Sequence, residues 1–330
     1  MGFEMQDVER KVFYILKILN DAQEALGARV ISRHLKEYGL ELGERAVRYH
    51  LKIMDERGLT QLVGRDGRLI TEEGIRELRN TLVRDKVGFS VSRIELQAFH
   101  TNFDPEKKRG RVPVEVSFFP RKDFKKALQI MKPAFSTGLC VSDLVAVAQD
   151  GELLGDLTIR SGKAALATVA CDVFNGTLLR AGVPVDSKFG GILQIRGRQP
   201  LRFVEIIHYA GSSMDPSKIF IKAGMTSVTD AAQKGDGKIL ASFREIPAPS
   251  RPIAKEIMAK LNEAGLKSLL AMGTASEPVC GIPVELNRVG VILVGGLNPV
   301  AMAKEAGIEV EHDAMGTVIE YQKLVRFSEL

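Results

Sequence analysis

The stretch ARVISRHLKEYGLELGERAVRYHLKIMDERGLTQLVGRDGRLIT, Ala28 to Thr71, decides how the chain is read. Gly43 and Glu44 open a helix within it, and Gly58 closes that helix after Arg57, as glycine commonly does just past a helix end. Val47, Leu51 and Met54 recur at i, i+4 and i+7, so they share one face. At about 100° per residue, Arg45, Arg48, Tyr49 and Lys52 fall on the opposite face, with the acids Asp55 and Glu56 only near the C-terminal end. Upstream, Ala28 to Tyr38 carries apolar Val30, Ile31 and Leu35, points Ser32 and Arg33 outward, and ends at Gly39. Downstream, Leu59–Val63 and Arg68–Thr71 flank Gly64-Arg65-Asp66-Gly67, a hairpin with Arg65 at its tip and Arg68 at its shoulder.

Two helices, a short turn and a basic hairpin together predict a winged helix-turn-helix. In such a domain the second helix enters the major groove with its N-terminal residues against the base edges, and Arg is the commonest specific reader. That assigns Arg45, Arg48 and Tyr49 to bases. Lys52, Arg65 and Arg68 fall to the phosphates, with Ser32 and Arg33 facing the backbone. The competing readings are a solvated helix face, or a winged helix used for protein contact or RNA.

The full chain has 330 residues, 45% of them hydrophobic and 26% charged, which fits a globular protein of two domains. No run of 18 apolar residues and no signal core is present, so a cytoplasmic protein with no membrane partner is expected. Net charge is +5, and residues 1–86 contribute only one unit of it, so placement of charge rather than its amount argues for DNA. Cys140, Cys171 and Cys280 are widely spaced, and the five histidines show no metal-ligand spacing.

Residues 1–7 read as a loose tail, and Val8 to Asn20 as the first helix of the winged domain, with Val8, Val12, Ile15, Leu16 and Leu19 on one face. Thr71 caps a helix from Glu72 to about Leu82. The domain is expected to end at residue 83. From 84 to 330 a second domain follows, in which strands alternate with helical patterns; Phe89 to Phe103, rich in aromatic and β-branched residues, reads as strand. The fold class is α/β, mixed α+β, with a duplicated two-lobe regulatory part.

The duplication is read from GVPVDSKFGGILQIRGRQP at Gly182–Pro200 and GIPVELNRVGVILVGGLNP at Gly281–Pro299, which align without a gap 99 residues apart. Upstream, Ser117-Phe118 parallels Ser242-Phe243, and Leu144–Val147 parallels Leu269–Met272. On this alignment the first copy carries an insertion from Leu153 to Ala181. It is read as a strand, Leu154 to Ile159, the turn Arg160-Ser161-Gly162-Lys163, and a helix from Ala164 to about Asn175. Ser161 would cap that helix, and its free N–H groups with Lys163 suit a carboxylate; a plain strand-to-helix turn is the alternative.

GLCVSD at Gly138–Asp143, ATVACDVFNGTLLRAGVPV at Ala167–Val185, HYAGSSMDP at His208–Pro216, TSV at Thr226–Val228 and VGGLNPVA at Val294–Ala301 resemble the archaeal nitrogen-regulation repressor family, NrpR. The resemblance covers nearly the whole chain. It implies a homodimeric repressor of nitrogen-assimilation genes on a pseudo-palindromic operator, released by 2-oxoglutarate. Some members carry two tandem regulatory domains, so a second protein carrying a related domain is a possible partner. No cofactor beyond that effector is implied. The effector's two carboxylates call for cations or helix-end N–H groups. Candidates are Ser161, Gly162, Lys163, Arg180, Lys188 and Arg196. Cys140 and Cys171 lie inside matching segments and are candidate pocket residues, with core packing the alternative. An α/β enzyme or another small-molecule sensor with an attached winged helix is the competing function. No phosphate loop, nucleophile elbow or His/carboxylate cluster in the sequence favours an enzyme.

Overall fold

The computed structural model describes residues 2–22, 24–64, 67–80, 89–155, 157–312 and 316–330. It divides the chain into two compact units, Met1–Lys86 and Val87–Leu330. The boundary expected after residue 83 falls outside the described ranges.

In the first unit, α1 (Gly2–Ala22), α2 (Ala28–Glu37) and α3 (Glu44–Glu56) precede strands β1 (Thr60–Val63) and β2 (Gly67–Ile70) and helix α4 (Glu72–Asn80). The segment expected as a loose tail is helical from Gly2 onward, so α1 begins earlier than its apolar pattern. Ile15, Leu16 and Leu19 of α1, Ile31 and Leu35 of α2, and Val47, Leu51 and Met54 of α3 are wholly buried together. Removal of such side chains from water stabilises by about 1.5–3 kcal/mol each. β1 and β2 pair antiparallel with Val63 opposite Gly67, and Leu26 adds a bridge to Arg68 on the far side. Gly67 is required there: its φ is +130°, and a Cβ would sit 2.1 Å from the Leu26 carbonyl oxygen. Thr71 caps α4 by accepting the Gly74 N–H at 3.0 Å, as its sequence position predicts.

The second unit opens with α5 (Phe89–His100), which corrects the strand expected there. Its buried positions, Ser90, Arg93, Ile94, Gln97 and Ala98, recur with helical spacing, but three of them are polar, which masks the period. Strand β3 (Arg111–Pro120), helix α6 (Arg121–Ser136) and strand β4 (Leu144–Gln149) follow. The single strand expected at 154–159 is instead a minimal hairpin, β5 (Leu153–Leu154) with β6 (Leu157–Thr158). The helix expected from Ala164 is strand β7 (Lys163–Val169); helix α7 (Val173–Arg180) begins only after it. Alanine favours helix, but β7 lies between β3 and β4 with both faces covered, and small residues suit that position. Next come β8 (Asp186–Arg196), β9 (Gln199–His208), α8 (Pro216–Lys222), α9 (Val228–Lys234), β10 (Gly237–Pro247), α10 (Arg251–Glu263), β11 (Leu269–Ala275), β12 (Arg288–Val294) and α11 (Asn298–Glu305). Short strands β13 (Glu311–His312), β14 (Thr317–Glu320) and β15 (Val325–Arg326) complete the unit.

Two antiparallel sheets result, β13-β3-β7-β4-β15 and β11-β12-β10-β8-β9. They contain a duplication, but at a spacing of 125 residues rather than 99. Leu144 and Leu269 open β4 and β11, Lys163 and Arg288 open β7 and β12, and Val173 and Asn298 open α7 and α11. Each copy is thus strand, helix, two strands, helix, with the third strand in the middle. The segments matched at 99 residues contain β8 and β12, which lie on either side of β10 in one sheet, so they are not counterparts. Consequently Leu153–Ala181 is no insertion, since β7 and α7 are the counterparts of β12 and α11. The copies pack crosswise: α6 rests on α11, and α10 on α7. Gly295 and Gly296 permit this, since a Cβ on Gly296 would come within 2.5 Å of the Val169 carbonyl oxygen.

Candidate nucleic-acid interface and buried polar core

The buried seam of α3 turns Arg45, Arg48, Tyr49 and Lys52 to solvent, and Tyr49 is 63% exposed. They form one stripe, as their spacing predicts. Arg48 pairs with Glu44, and Lys52 lies 3.9 Å from Glu56. Such exposed pairs are worth little, so both cations are available to a polyanion at small cost. Arg33 is exposed on α2. Ser32 is occupied within the fold: its hydroxyl donates to the Leu42 carbonyl at 2.6 Å and closes the turn between α2 and α3. Arg68 also has a structural task. Its Nε donates to Asp55 at 2.8 Å, and Thr60 donates to the same carboxylate at 2.6 Å, bracing the wing against α3. Arg65 lies outside the described residues.

In the second unit the predicted effector residues do not form one site. Ser161 and the Gly162 N–H donate to Asp150 at 3.0 and 3.1 Å, and Lys163 pairs with Glu311 at 3.1 Å. With β7 in place of a helix, no helix N-terminus stands behind them. Arg180 and Arg196 are exposed. Lys188 is shared by Asp186 at 2.8 Å, Glu285 at 2.6 Å and Glu245 at 3.5 Å; burial disfavours its charge, but these acids outweigh that and raise its pKa. Cys140 is buried in the lining of an open cavity of about 780 Å³, where its thiol donates to the Ser142 carbonyl at 3.2 Å.

Cys171 leads to a feature the sequence reading missed. Its sulfur lies 3.6 Å from Arg244 Nη2 and from Ser242 Oγ, and burial pushes the thiol up to about 12, which favours the protonated form. Arg244 has no exposed surface; it donates to Asp172 at 2.7 Å and lies 5.2 Å from the Tyr209 ring. Arg93, on α5, pairs with Asp215 and lies 4.0 Å from Glu115. Burial raises Asp215, but Arg93, Lys218 and the Ser217 N–H outweigh it and bring the carboxyl down to about 2. Burial holds Glu115 and Asp172 above the usual carboxylate range despite their arginines. Both guanidiniums remain charged and under-used, because among the described residues no protein acceptor takes Arg244 Nε and Nη1 or Arg93 Nη1. Buried N–H groups of this kind suit an added carboxylate.

Segments Ala167–Val185 and His208–Pro216 therefore meet at one core, through Cys171, Asp172, Tyr209 and Asp215. Arg244, the one cation in the largely apolar strand LASFREIP, was the available signal. Arg93 was concealed in the segment read as strand.

The family model described as NrpR regulatory domains NRD1 and 2 matches residues 87–326, and that of the ribonuclease R winged-helix domain matches residues 13–78. The global nitrogen regulator NrpRI of Methanosarcina mazei is 38% identical over 96% of this chain and 98% of its own. The global nitrogen regulators NrpR of Methanococcus maripaludis and Methanocaldococcus jannaschii are 33% and 32% identical over 91% and 97% of this chain. The chain spans only 52% and 55% of those two. A crystal structure of a nitrogen repressor-like protein from Methanococcus jannaschii matches with a TM-score of 0.61 and 27% identity, over 72% of this chain and 98% of that one. These named relatives are regulators, which bears out the reading of a regulator rather than an enzyme. No helix among the described residues is long and apolar enough to cross a membrane.

Proposed function

The chain belongs to the NrpR family, and from that premise we propose that it is a transcriptional repressor of nitrogen-assimilation genes. It holds a pseudo-palindromic operator as a homodimer and releases it when 2-oxoglutarate binds. The observation that carries the reading is the exposed stripe Arg45, Arg48, Tyr49 and Lys52 opposite a wholly buried seam. One winged domain presents few contacts, so two half-sites about one helical turn or a multiple apart are needed. For the effector, the under-used N–H groups of Arg93 and Arg244 supply what a dicarboxylate requires, and two of the five segments that carry the family resemblance lead to them. An effector that prefers the DNA-incompetent arrangement shifts the population toward it, with coupling of about 1–3 kcal/mol.

The test is fluorescence anisotropy of a labelled promoter duplex from a nitrogen-assimilation gene, with and without 2-oxoglutarate. Specific binding over a scrambled duplex, weakened by 2-oxoglutarate, is expected. Equal affinity for both duplexes sinks the operator reading, and indifference to 2-oxoglutarate sinks the effector reading. The match of residues 13–78 to a ribonuclease's winged helix favours one second reading, RNA. Preferential competition by RNA of the same sequence would support it.

A further inference from the structure

Cys140's cavity is separate from the Arg93–Arg244 core in its lining, and it has a different chemistry. Lys125 and Lys132 project into it from α6, Lys267 from the segment after α10, Lys108 from the loop before β3, and Arg326 from β15. Among the described residues the four lysines have no carboxylate partner, whereas Arg326 pairs with Asp143 at 3.0 Å. The other acid in the lining is Glu263. Five side-chain cations against two side-chain acids leave this concavity positive, which suits a polyanion. The volume, about 780 Å³, lies in the range of roughly 300–1,000 Å³ that suits drug-sized ligands. It is several times what a five-carbon diacid fills. One wall is apolar and aromatic: Phe327 stacks on Phe135 with ring centroids 3.9 Å apart, and Tyr321 is held by its hydroxyl to the Ala264 carbonyl at 2.7 Å. Lysines for a phosphate chain and an apolar wall for a nucleobase lie within the same cavity.

We infer that this cavity binds a nucleoside polyphosphate. The site spans both copies of the duplication, since α6 belongs to the first and Lys267 to the second, so its ligand would bridge them. This reading goes beyond the 2-oxoglutarate proposal and stands or falls separately from it.

The experiment is calorimetric titration of the full chain with ATP, in the absence and presence of saturating 2-oxoglutarate. Adenosine and inorganic tripolyphosphate serve as separate arms. ATP should bind one per chain, more tightly than either fragment, and 2-oxoglutarate should not displace it. The Lys132→Glu/Lys267→Glu variant changes two exposed side chains and should fold normally by circular dichroism. It should lose about a hundredfold or more in ATP affinity, as expected for two charge-assisted contacts. The milder Lys125→Ala should lose about tenfold, since it removes one. No heat with ATP at millimolar concentration, tripolyphosphate binding as tightly as ATP, affinity unchanged in the double variant, or stoichiometric displacement by 2-oxoglutarate would each overturn the assignment.

Discussion

Replacing Asp172 with alanine leaves Arg244 as a wholly buried guanidinium without its hydrogen-bonded carboxylate. At the observed separation of 2.7 Å the gross attraction is about 6 kcal/mol with an effective dielectric of about 20. Part of that is returned, because the aspartate no longer has to be desolvated. Breaking one side of a buried pair costs about 3–5 kcal/mol net. The cation–π contact with Tyr209 survives and is too weak, at about 0.5–2 kcal/mol, to compensate. Asp172→Ala/Arg244→Met removes both charges and fills the space with an aliphatic chain, so it should lie within about 1–2 kcal/mol of the parent. Urea unfolding followed by far-UV circular dichroism is the suitable assay, since the chain contains no tryptophan. A single variant within about 1 kcal/mol of the parent, or a double variant as unstable as the single, would refute the reasoning, because the pair would then be contributing through shape and not charge.

Four further outcomes are expected. Arg45→Ala or Arg48→Ala should cost about 1–3 kcal/mol of operator affinity and relax specificity at one position, while Lys52→Ala weakens all duplexes alike; anisotropy against single-base operator variants separates the two. Gly67→Ala should destabilise the first unit by more than about 1 kcal/mol, because the added carbon meets backbone that cannot swing aside; thermal unfolding of residues 1–86 reads it. Burial lowers His312 to about 4, so the folded state holds it neutral. Its stabilising contribution is complete above the unfolded value near 6.5, is lost as pH falls from there toward 4, and amounts to at most about 3 kcal/mol. His312→Gln should flatten the urea midpoint across that window, and an unchanged slope would contradict the assignment. Residues 87–330 alone should sediment as a dimer if that unit holds the assembly.

The winged unit was legible because its signals are local. Val47, Leu51 and Met54 keep a clean helical period, and Thr71 and Gly58 mark ends through bonds that span a few residues. The second unit depends on distant neighbours. Alanines 164, 165 and 167 prefer a helix until β3 and β4 close on both sides of them. Ser90, Arg93 and Gln97 read as a polar face until their partners are known, and Asp215, which holds Arg93, is more than a hundred residues away. The 99-residue match misled because β8 and β12 both lie against β10. Strands under the same packing constraint acquire similar residues without being counterparts. Of the buried polar core proposed for the effector, the sequence singled out Cys171, while the groups that carry charge there had to be found in space.

The crosswise seating of α6 on α11 and of α10 on α7 has a mechanical consequence. Neither half of the duplication can be drawn away from the other without stripping two helix pairs at once, so the halves cannot open like a clam. A slide of α6 along α11 and of α10 along α7 would keep both pairs in contact, with the close approach of Gly296 and Val169 between them. The two helix pairs in this sense tie the halves of the duplication to each other at two places.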